Sequence, residues 1–285
     1  MLSLRLSTVG VPLALALAMA CPAPAESAGP QRVMSLSMCT DDLLLDLLPP
    51  ERITSVTYYA RDPSISYVWP QAAKVAINSG TVEEVLAEKP DLVLAGTYTT
   101  PATRSLLKKF HMPLLEVAPA VDFDQIRAVT RGVAHALERD AIGEALIAKM
   151  DSTLRQLAAT RTSRTIRVAA WGEGGSAPGK GTLFDAILTA AGAVNVTAAG
   201  DAGPYLAFGM EQLIMAHPDV IAYASNTTDT PGLNAAMAQH PLILKLYSGR
   251  TVTYPGALYS CGVVESADAA VALRANLLQA VGPGS

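Results

Sequence analysis

The chain has 285 residues, of which 50% are hydrophobic and 16% are charged, and its formal net charge is −4. This composition excludes an intrinsically disordered chain and a nucleic-acid-binding protein that relies on bulk positive charge. At roughly 150 residues per domain, the length suits two modest lobes that each bury a core. Beyond the N-terminus, charge, Pro or Gly interrupts every apolar run before it reaches membrane-spanning length, so we expect a soluble mature protein.

The first 25 residues have the features of a secretory signal peptide. Arg5 precedes an apolar stretch, Val9–Ala20, and the small-residue sequence Ala23-Pro24-Ala25 follows it. We therefore predict that residues 1–25 are removed on export to the periplasm. A second processing route stays open, because Ala18-Met19-Ala20-Cys21 is shaped like a lipoprotein signal in which Cys21 is lipidated.

From Arg32 onward, short apolar runs alternate with helical patterns, which predicts an α/β fold with mostly parallel sheets. Thr40-Asp41-Asp42 is typical of helix capping and precedes a predicted helix at Leu43–Leu48. The predicted strands of the first half are Arg32–Leu36, Ile53–Tyr59, Val75–Ile77 and Leu92–Ala95. The alternation begins again in the second half, at Ile166–Ala170, Leu183–Ala191, Val220–Tyr223 and Thr251–Tyr254.

The middle of the chain predicts long helices, because residues 123–160 contain no Pro and keep helical periodicity. Apolar residues fall on one face at Ile142, Leu146, Ile147, Met150, Leu154 and Leu157. A helix from about Asp140 to Thr160 would extend roughly 30 Å, which is long enough to connect two lobes. An ordinary surface helix packed on one sheet is the alternative.

One sequence pattern occurs in both halves. The segment Glu83–Val93 parallels Glu211–Ile221, and in each a Glu stands seven residues before a Pro-Asp pair. Each copy predicts a short helix that stops before its Pro and then a buried strand. Two such units imply two similar lobes, although this junction is also common in α/β proteins generally.

With this order of elements, the chain resembles the periplasmic substrate-binding proteins of ABC importers, in the group that binds cobalamin, ferric siderophores and haem. The resemblance runs from about Arg32 to Val281 and also rests on Ser35-Leu36-Ser37 and the Gly-rich turn after Trp171. It implies two Rossmann-like lobes joined by one long helix, with ligand in the cleft between them. The corresponding ranges are 26–138 for the N-terminal lobe, 139–161 for the linker helix and 162–285 for the C-terminal lobe.

The resemblance also implies how such a protein works. It implies a monomer that docks onto an ABC permease in the inner membrane through one glutamate on each lobe, here Glu83 and Glu211. An acidic residue in the first turn of a helix is also favoured simply by the helix dipole, which is the alternative explanation for both. No intrinsic cofactor is implied, because the metal chelate or corrinoid is the transported ligand.

Aromatic residues are only 5% of the chain, yet several fall in loops that follow predicted strands, where α/β sheets bind ligands. Compared with cobalamin-binding members, Tyr59, Trp171 and Tyr205 fall near ligand-contacting aromatics, whereas Ile77 and Gly96 stand near tryptophan positions, which weakens a cobalamin assignment. The candidate ligand-binding residues are Tyr59, Arg61, Tyr98, Trp171, Lys180, Tyr205 and Tyr259. The two cations among them suit a carboxylate or phosphate on a chelate.

The histidines and cysteines do not predict a bare metal site. The four histidines are scattered without metal-ligand spacing, which favours a chelated metal over a naked ion. Cys39 follows the first predicted strand and Cys261 follows the last. Export makes a disulfide between them chemically permissible, and two separate thiols or sulfur contacts to ligand are the alternatives.

Parts of the sequence are also compatible with two other functions. An exported hydrolase is one, because Gly174–Thr182 nearly matches a phosphate-binding loop, but Gly181 stands where that motif needs Ser or Thr. No Gly-x-Ser-x-Gly nucleophile motif occurs, so we predict no catalytic residues and no enzyme. A metal-storage or interaction protein without a permease is the other alternative, and paired exposure of Glu83 and Glu211 would argue against it.

Overall fold

A computed structural model describes residues 29–160, 164–171, 176–199, 203–224 and 240–282. The predicted signal peptide and Cys21 lie outside these residues. Two separate parallel sheets with flanking helices form two lobes, so the predicted α/β class is confirmed. None of the helices in the described part of the chain has the length and apolarity that a membrane span needs.

The N-terminal lobe is built on five parallel strands in the order β3-β2-β1-β4-β5. The strands are β1 (Val33–Ser35), β2 (Ile53–Thr57), β3 (Ile77–Asn78), β4 (Leu92–Gly96) and β5 (Leu114–Val117). The helices are α1 (Met38–Leu47), α2 (Trp69–Ala72), α3 (Val82–Glu88), α4 (Pro101–Lys109) and α5 (Phe123–Ala136). Val33, Leu44, Val56 and Leu94 are fully or almost fully buried in its core.

A long helix, α6 (Asp140–Ala159), follows the first lobe. Its 20 residues extend about 30 Å, close to the bounds that the periodicity predicts. Leu146 packs against the cores of both lobes, and Ile147, Met150 and Leu157 are buried in the core of the C-terminal lobe. The helix therefore contributes apolar contacts to both lobes.

The C-terminal lobe contains a parallel sheet in the order β11-β10-β6-β8 and a separate antiparallel pair, β7 and β9. The strands are β6 (Ile166–Ala170), β7 (Ser176–Pro178), β8 (Ala193–Asn195), β9 (Tyr205–Ala207), β10 (Val220–Ala224) and β11 (Thr251–Tyr254). The helices are α7 (Leu183–Ala190), α8 (Met210–Ala216), α9 (Pro241–Leu246) and α10 (Ser266–Val281).

The two halves hold their helix-Pro-Asp-strand copies by the same contacts. Arg32 donates through its guanidinium to the last carbonyls of α3, and its backbone N–H donates to Asp91. Arg167 donates in the same way to the last carbonyls of α8, and its backbone N–H donates to Asp219. Cationic side chains at helix C-termini satisfy carbonyls that lack a partner within the helix. The repeat is thus structural as well as sequential.

The capping role predicted for Thr40-Asp41-Asp42 is wrong. Helix α1 begins earlier, at Met38, with Ser37 as its N-cap residue, and all three predicted capping residues are buried inside the helix. Their side chains are used in tertiary contacts, because this face of α1 packs into the lobe. The strand predicted at Val75–Ile77 is displaced, since β3 begins only at Ile77.

Candidate functional site

A cavity of about 470 Å³ opens at the carboxyl edge of the N-terminal sheet. Loops that follow all five strands, β1 to β5, contribute to its wall, and Ser260 and Gly262 contribute from the C-terminal lobe. Its volume and its position at the carboxyl ends of parallel strands are both typical of small-molecule sites. A second cavity, of about 500 Å³, lies at the beginnings of β6 and β8, where open α/β sheets do not usually bind ligands.

The wall of the first cavity is uncharged among the described residues that line it. Apolar side chains make up much of the wall, among them Leu36, Leu43, Ile65, Val117 and Val129. The polar side chains are all hydroxyls: besides three tyrosines, they are Ser37, Thr40, Thr57, Ser79, Thr97, Thr99 and Ser260. Such a surface suits a ligand whose buried part is apolar and neutral, because an unpaired charge would lose its hydration there.

Three tyrosines line the cavity and present rings to solvent. Tyr58 and Tyr59 follow β2, with ring centroids 4.1 Å apart, and about half of each residue is exposed. Tyr98 follows β4 and is 85% exposed. A hydrogen bond with Tyr59 raises the pKa of Tyr58. The cavity therefore has an aromatic wall for a flat ligand.

A buried carboxyl supports the hydroxyl-lined floor. Asp41 on α1 accepts hydrogen bonds from the backbone N–H of Thr57, at 3.1 Å, and from its hydroxyl. Burial raises the pKa of Asp41 from 3.8 to about 7, against the lowering effect of these hydrogen bonds. Next to it on α1, Thr40 is hydrogen-bonded to the hydroxyls of Ser35 and Ser37. These contacts fix α1 against β1 and β2 beneath the cavity.

Cys39 and Cys261 form a disulfide between the two lobes. Their Cα atoms are 5.2 Å apart, and Cys39 lies in the cavity wall. The structure thus selects the disulfide from the three alternatives that the sequence leaves open. The disulfide is therefore a second covalent connection between the lobes, in addition to the polypeptide chain through α6.

Glu83 and Glu211 occupy equivalent positions in the two halves, each as the second residue of its helix. Both are exposed, and neither carboxylate has a hydrogen-bond or ion-pair partner among the described residues. Helices α3 and α8 precede the parallel strands β4 and β10, so each helix begins near the carboxyl edge of its own sheet. The two glutamates therefore stand at corresponding places on similar lobes.

Sequence comparison identifies the family. A family model described as periplasmic binding protein matches residues 33–249 of this chain. The chain belongs to the periplasmic binding protein family. A search of curated protein sequences found no match.

Solved structures with this fold align with this chain over most of its length. The haem-binding protein BhuT in complex with two haems has a TM-score of 0.73 and 22% identity over 88% of this chain and 99% of that chain. A periplasmic haem-binding protein from Pseudomonas aeruginosa has a TM-score of 0.71 and 19% identity over 90% and 95% of the two chains. The vitamin B12 binding protein BtuF of Vibrio cholerae has a TM-score of 0.66 and 17% identity over 89% and 99%. The predicted resemblance to periplasmic substrate-binding proteins is confirmed, the structures described as binding haem or vitamin B12 share the fold of this chain, and the family supports a solute-binding role.

The structure brings only two of the seven predicted ligand residues of this binding protein, Tyr59 and Tyr98, to the described cavity wall. Arg61 is used elsewhere, because its guanidinium donates to the carbonyl oxygens of Ala72, at 3.2 Å, and Val75, at 2.6 Å. Lys180 and Tyr205 are exposed near the β7–β9 pair and do not line this cavity. Sequence reasoning missed Tyr58, although it stands next to a predicted residue.

Trp171 and Tyr259 point into the C-terminal lobe instead of the cavity. Trp171 is 5% exposed and packs in a cluster with Leu213 and Tyr223. Tyr259 packs against the rings of Phe184 and Tyr254 and burial raises its pKa. A residue in the loop after a strand can turn inward to complete the core, and its position in the sequence does not reveal this.

Gly96 stands against Ser37 at the cavity. A Cβ atom at this position would lie 2.6 Å from Ser37 Oγ, so a larger side chain requires Ser37 to move. The sequence places Gly96 near a tryptophan position of the cobalamin binder, and the structure adds this steric reason against an aromatic ring here. Ile77, the other such position, is 45% exposed and does not line the cavity.

The phosphate-loop-like segment and the potential metal ligands do not form a site among the described residues. The described part of the phosphate-loop-like segment forms β7 and a turn, in which the backbone N–H of Gly179 already donates to Pro204 at 2.8 Å. Gly174 and Gly175 lie outside the described residues. Within the described ranges, no group of three or more His, Cys, Asp or Glu side chains is arranged to hold a metal ion. The family and the structural neighbours are binding proteins.

Proposed function

We propose that this protein is the solute-binding subunit of an ABC importer, which captures a metal chelate in the cavity between its lobes and delivers it to an inner-membrane permease. The observation that supports this most directly is the cavity itself. All five strands of one lobe end at it, and the other lobe contributes part of its wall. Such a site holds a small molecule between two bodies, as in other ligand sites at domain interfaces.

The chemistry of the wall favours a tetrapyrrole over an anionic siderophore. The described lining has no cationic side chain to neutralise the carboxylates or catecholates of a ferric siderophore, and Arg61 is occupied by backbone carbonyls. An apolar macrocycle face would contact the aliphatic side chains and stack on Tyr59 and Tyr98. Its charged or polar periphery would remain toward water.

Among tetrapyrroles, haem fits best. Gly96 and Ile77 differ from the tryptophans that the sequence comparison places in a cobalamin site, and Gly96 is close against Ser37. Phenol oxygens are known protein ligands of haem iron, and three phenols lie at this cavity. BhuT and the Pseudomonas aeruginosa protein, which share this fold, are haem-binding proteins.

Titration of the protein with haemin and with cyanocobalamin, followed by visible absorption, tests the ligand. We expect haemin to bind and its Soret band to change, with cyanocobalamin binding more weakly. Tyr59→Ala and Tyr98→Ala should each weaken haemin binding about 10-fold or more, since the loss of a buried aromatic contact costs about 1.5–3 kcal/mol. Trp69→Ala is the matched control, because Trp69 is 47% exposed but does not line the cavity.

Binding of a ferric siderophore with no binding of either tetrapyrrole would contradict the choice of ligand. Absence of binding to all three chelates would contradict metal-chelate capture as a whole.

Delivery to a permease is supported by the paired glutamates. Glu83 and Glu211 are exposed and have no described partner, and the same arginine and aspartate contacts hold their helices in each lobe. A permease with two basic pockets could pair with both carboxylates at once. Such exposed charge pairs form readily across an interface and set its orientation.

Charge reversal separates docking from ligand capture. We expect the double variant Glu83→Arg/Glu211→Arg to abolish uptake of the chelate in cells while the affinity for haemin stays unchanged. Glu51→Arg is the control, since Glu51 is also exposed but lies on a different turn. Unchanged uptake in the double variant would contradict the docking role.

A further inference from the structure

The two lobes are joined beside the cavity by a short segment of the C-terminal lobe, residues 261–265, which precedes α10. Cys261 begins this segment and is disulfide-bonded to Cys39 in the first turn of α1. Only 1% of Cys261 is exposed, whereas Cys39 lies in the cavity wall. The covalent connection is therefore part of the ligand-binding face and not of a distant surface.

The residue that follows the disulfide touches the backbone of the other lobe. A Cβ atom on Gly262 would lie 2.2 Å from the carbonyl oxygen of Ala120, which follows β5 in the N-terminal lobe. No residue other than glycine fits without moving one of the two backbones. The lobes are thus in direct main-chain contact at this point.

The end of the segment lies beside polar groups of the same lobe. Tyr67 donates a hydrogen bond to Asp46 on α1. The nearby Glu265 carboxyl acts electrostatically on both groups and helps to raise the pKa of each, after burial. Asp46, Tyr67 and Glu265 therefore lie close together across the two lobes.

These contacts follow one face of α1. Cys39, Asp42 and Asp46 are three and four residues apart and so point to the same side of the helix. From Cys39 to Asp46 that face extends about 10 Å, at 1.5 Å per residue. With only two attachments, α6 and the disulfide, one lobe could still rotate relative to the other about the line that joins these attachments. Contacts distributed along α1 oppose that rotation.

We propose that residues 261–265 are a fixed tie between the lobes, and that the Cys39–Cys261 disulfide limits the opening of the cleft and slows the release of bound ligand. The statement about ligand release rests on the proposed function, whereas the statement about the lobes does not. The cleft then opens only at the side away from α1, and ligand enters a largely preformed cavity. Loss of the disulfide frees the segment and lets the lobes separate.

Hydrogen exchange of the ligand-free protein tests the tie, comparing the oxidised wild type with the double variant Cys39→Ser/Cys261→Ser. We expect amides in the first turns of α1 and in residues 256–268 to exchange at least 10-fold faster in the variant. Amides in the central strands β1 and β6 should keep their protection. Val271→Ala is the matched control, since Val271 is 45% exposed on α10, outside the tie, and the variant keeps the disulfide; we expect wild-type exchange for it.

Equal protection of α1 and residues 256–268 in the wild type and the double variant would overturn the proposal. Far-ultraviolet circular dichroism establishes that the double variant is folded. If it is not folded, the same exchange measurement on wild-type protein reduced under native conditions gives the answer, with the same expected and contradicting results.

A second readout addresses ligand release. With haemin as the probe, we expect transfer to apomyoglobin at least 10-fold faster from the double variant than from the wild type. Equal transfer rates would overturn the effect on release. If haemin does not bind the wild type, the haem assignment fails on its own, and the exchange measurement still decides whether the tie exists.

Discussion

Replacing Asp46 by Asn removes a carboxyl that the fold keeps protonated. Burial, and then the nearby Glu265 carboxyl, raise the pKa of Asp46 from 3.8 to about 7. Asp42, on the same face of α1, also has a raised pKa because of burial, and Lys149 is the cation that acts against these shifts at Asp46 and Glu265. Asparagine retains an oxygen that can accept the hydrogen bond from Tyr67.

The sign of the effect on stability follows from the protonation of Asp46 in the folded and in the unfolded chain. Below about pH 4, Asp46 is protonated in the folded and unfolded chains, so its titration costs no stability. Between about pH 4 and 7 the unfolded chain loses this proton while the folded protein keeps it, and the free energy of unfolding falls. A pKa difference of about 3 units corresponds to about 4 kcal/mol as an upper limit. Asp46 shares this effect with Glu265 and keeps some solvent contact, so we expect Asp46→Asn to gain about 2 kcal/mol at pH 8.

Urea denaturation of the wild type and of Asp46→Asn at several pH values between 4 and 8 measures this gain. The two proteins should be similar at pH 4, and the variant should become progressively more stable up to about pH 7. Asp62→Asn is the control of opposite sign, because hydrogen bonds from Ser64 lower the pKa of the exposed Asp62. If Asp46→Asn is less stable than the wild type at pH 8, the carboxylate is stabilising and the reasoning is refuted.

Two further predictions concern packing. Gly262→Val should destabilise the protein by about 3 kcal/mol, because the new side chain meets Ala120, whereas Gly132→Ala, with nothing within 4 Å on α5, should stabilise it by about 0.5–1 kcal/mol. Thermal denaturation checks both, and equal stability of Gly262→Val and the wild type would show that the lobe contact is not close. Leu213→Ala should lower the free energy of unfolding by about 3 kcal/mol, because Leu213 is fully buried on the inner face of α8. Met215 is 70% exposed on the same helix, so Met215→Ala should change the free energy of unfolding by less than about 0.5 kcal/mol. Similar urea midpoints for these two variants would contradict the assignment of the buried face.

Much of the fold could be predicted because its determinants are local. Apolar runs bounded by Pro and Gly predict strands, and the absence of Pro with helical periodicity predicts α6. The repeated Pro-Asp junction predicts two similar halves, and both sheets share the arrangement in which the strand after this junction pairs with the first strand of its lobe. The sequence also indicates the equivalence of the arginines that hold α3 and α8, because Arg32 and Arg167 each precede a Val near the start of the first strand of their lobe.

The details of the site depended on the tertiary structure. Asp41 has the sequence context of a capping residue, but the packing of α1 buries it against Thr57. Trp171 follows a strand as Tyr59 does, yet it turns into the core of its lobe. Whether the two cysteines pair depends on the distance between lobes, and no local pattern encodes that distance.

The central claim is that this binding protein carries a tetrapyrrole chelate between two lobes. Native mass spectrometry of the protein purified from the periplasm of its own cells, together with its visible spectrum, tests this most directly. We predict a coloured protein with the additional mass of a bound haem. Because Cys39 and Cys261 are disulfide-bonded, it should have two fewer free thiols than the reduced chain. A colourless protein that carries a sugar, peptide or bare metal ion instead would contradict the account.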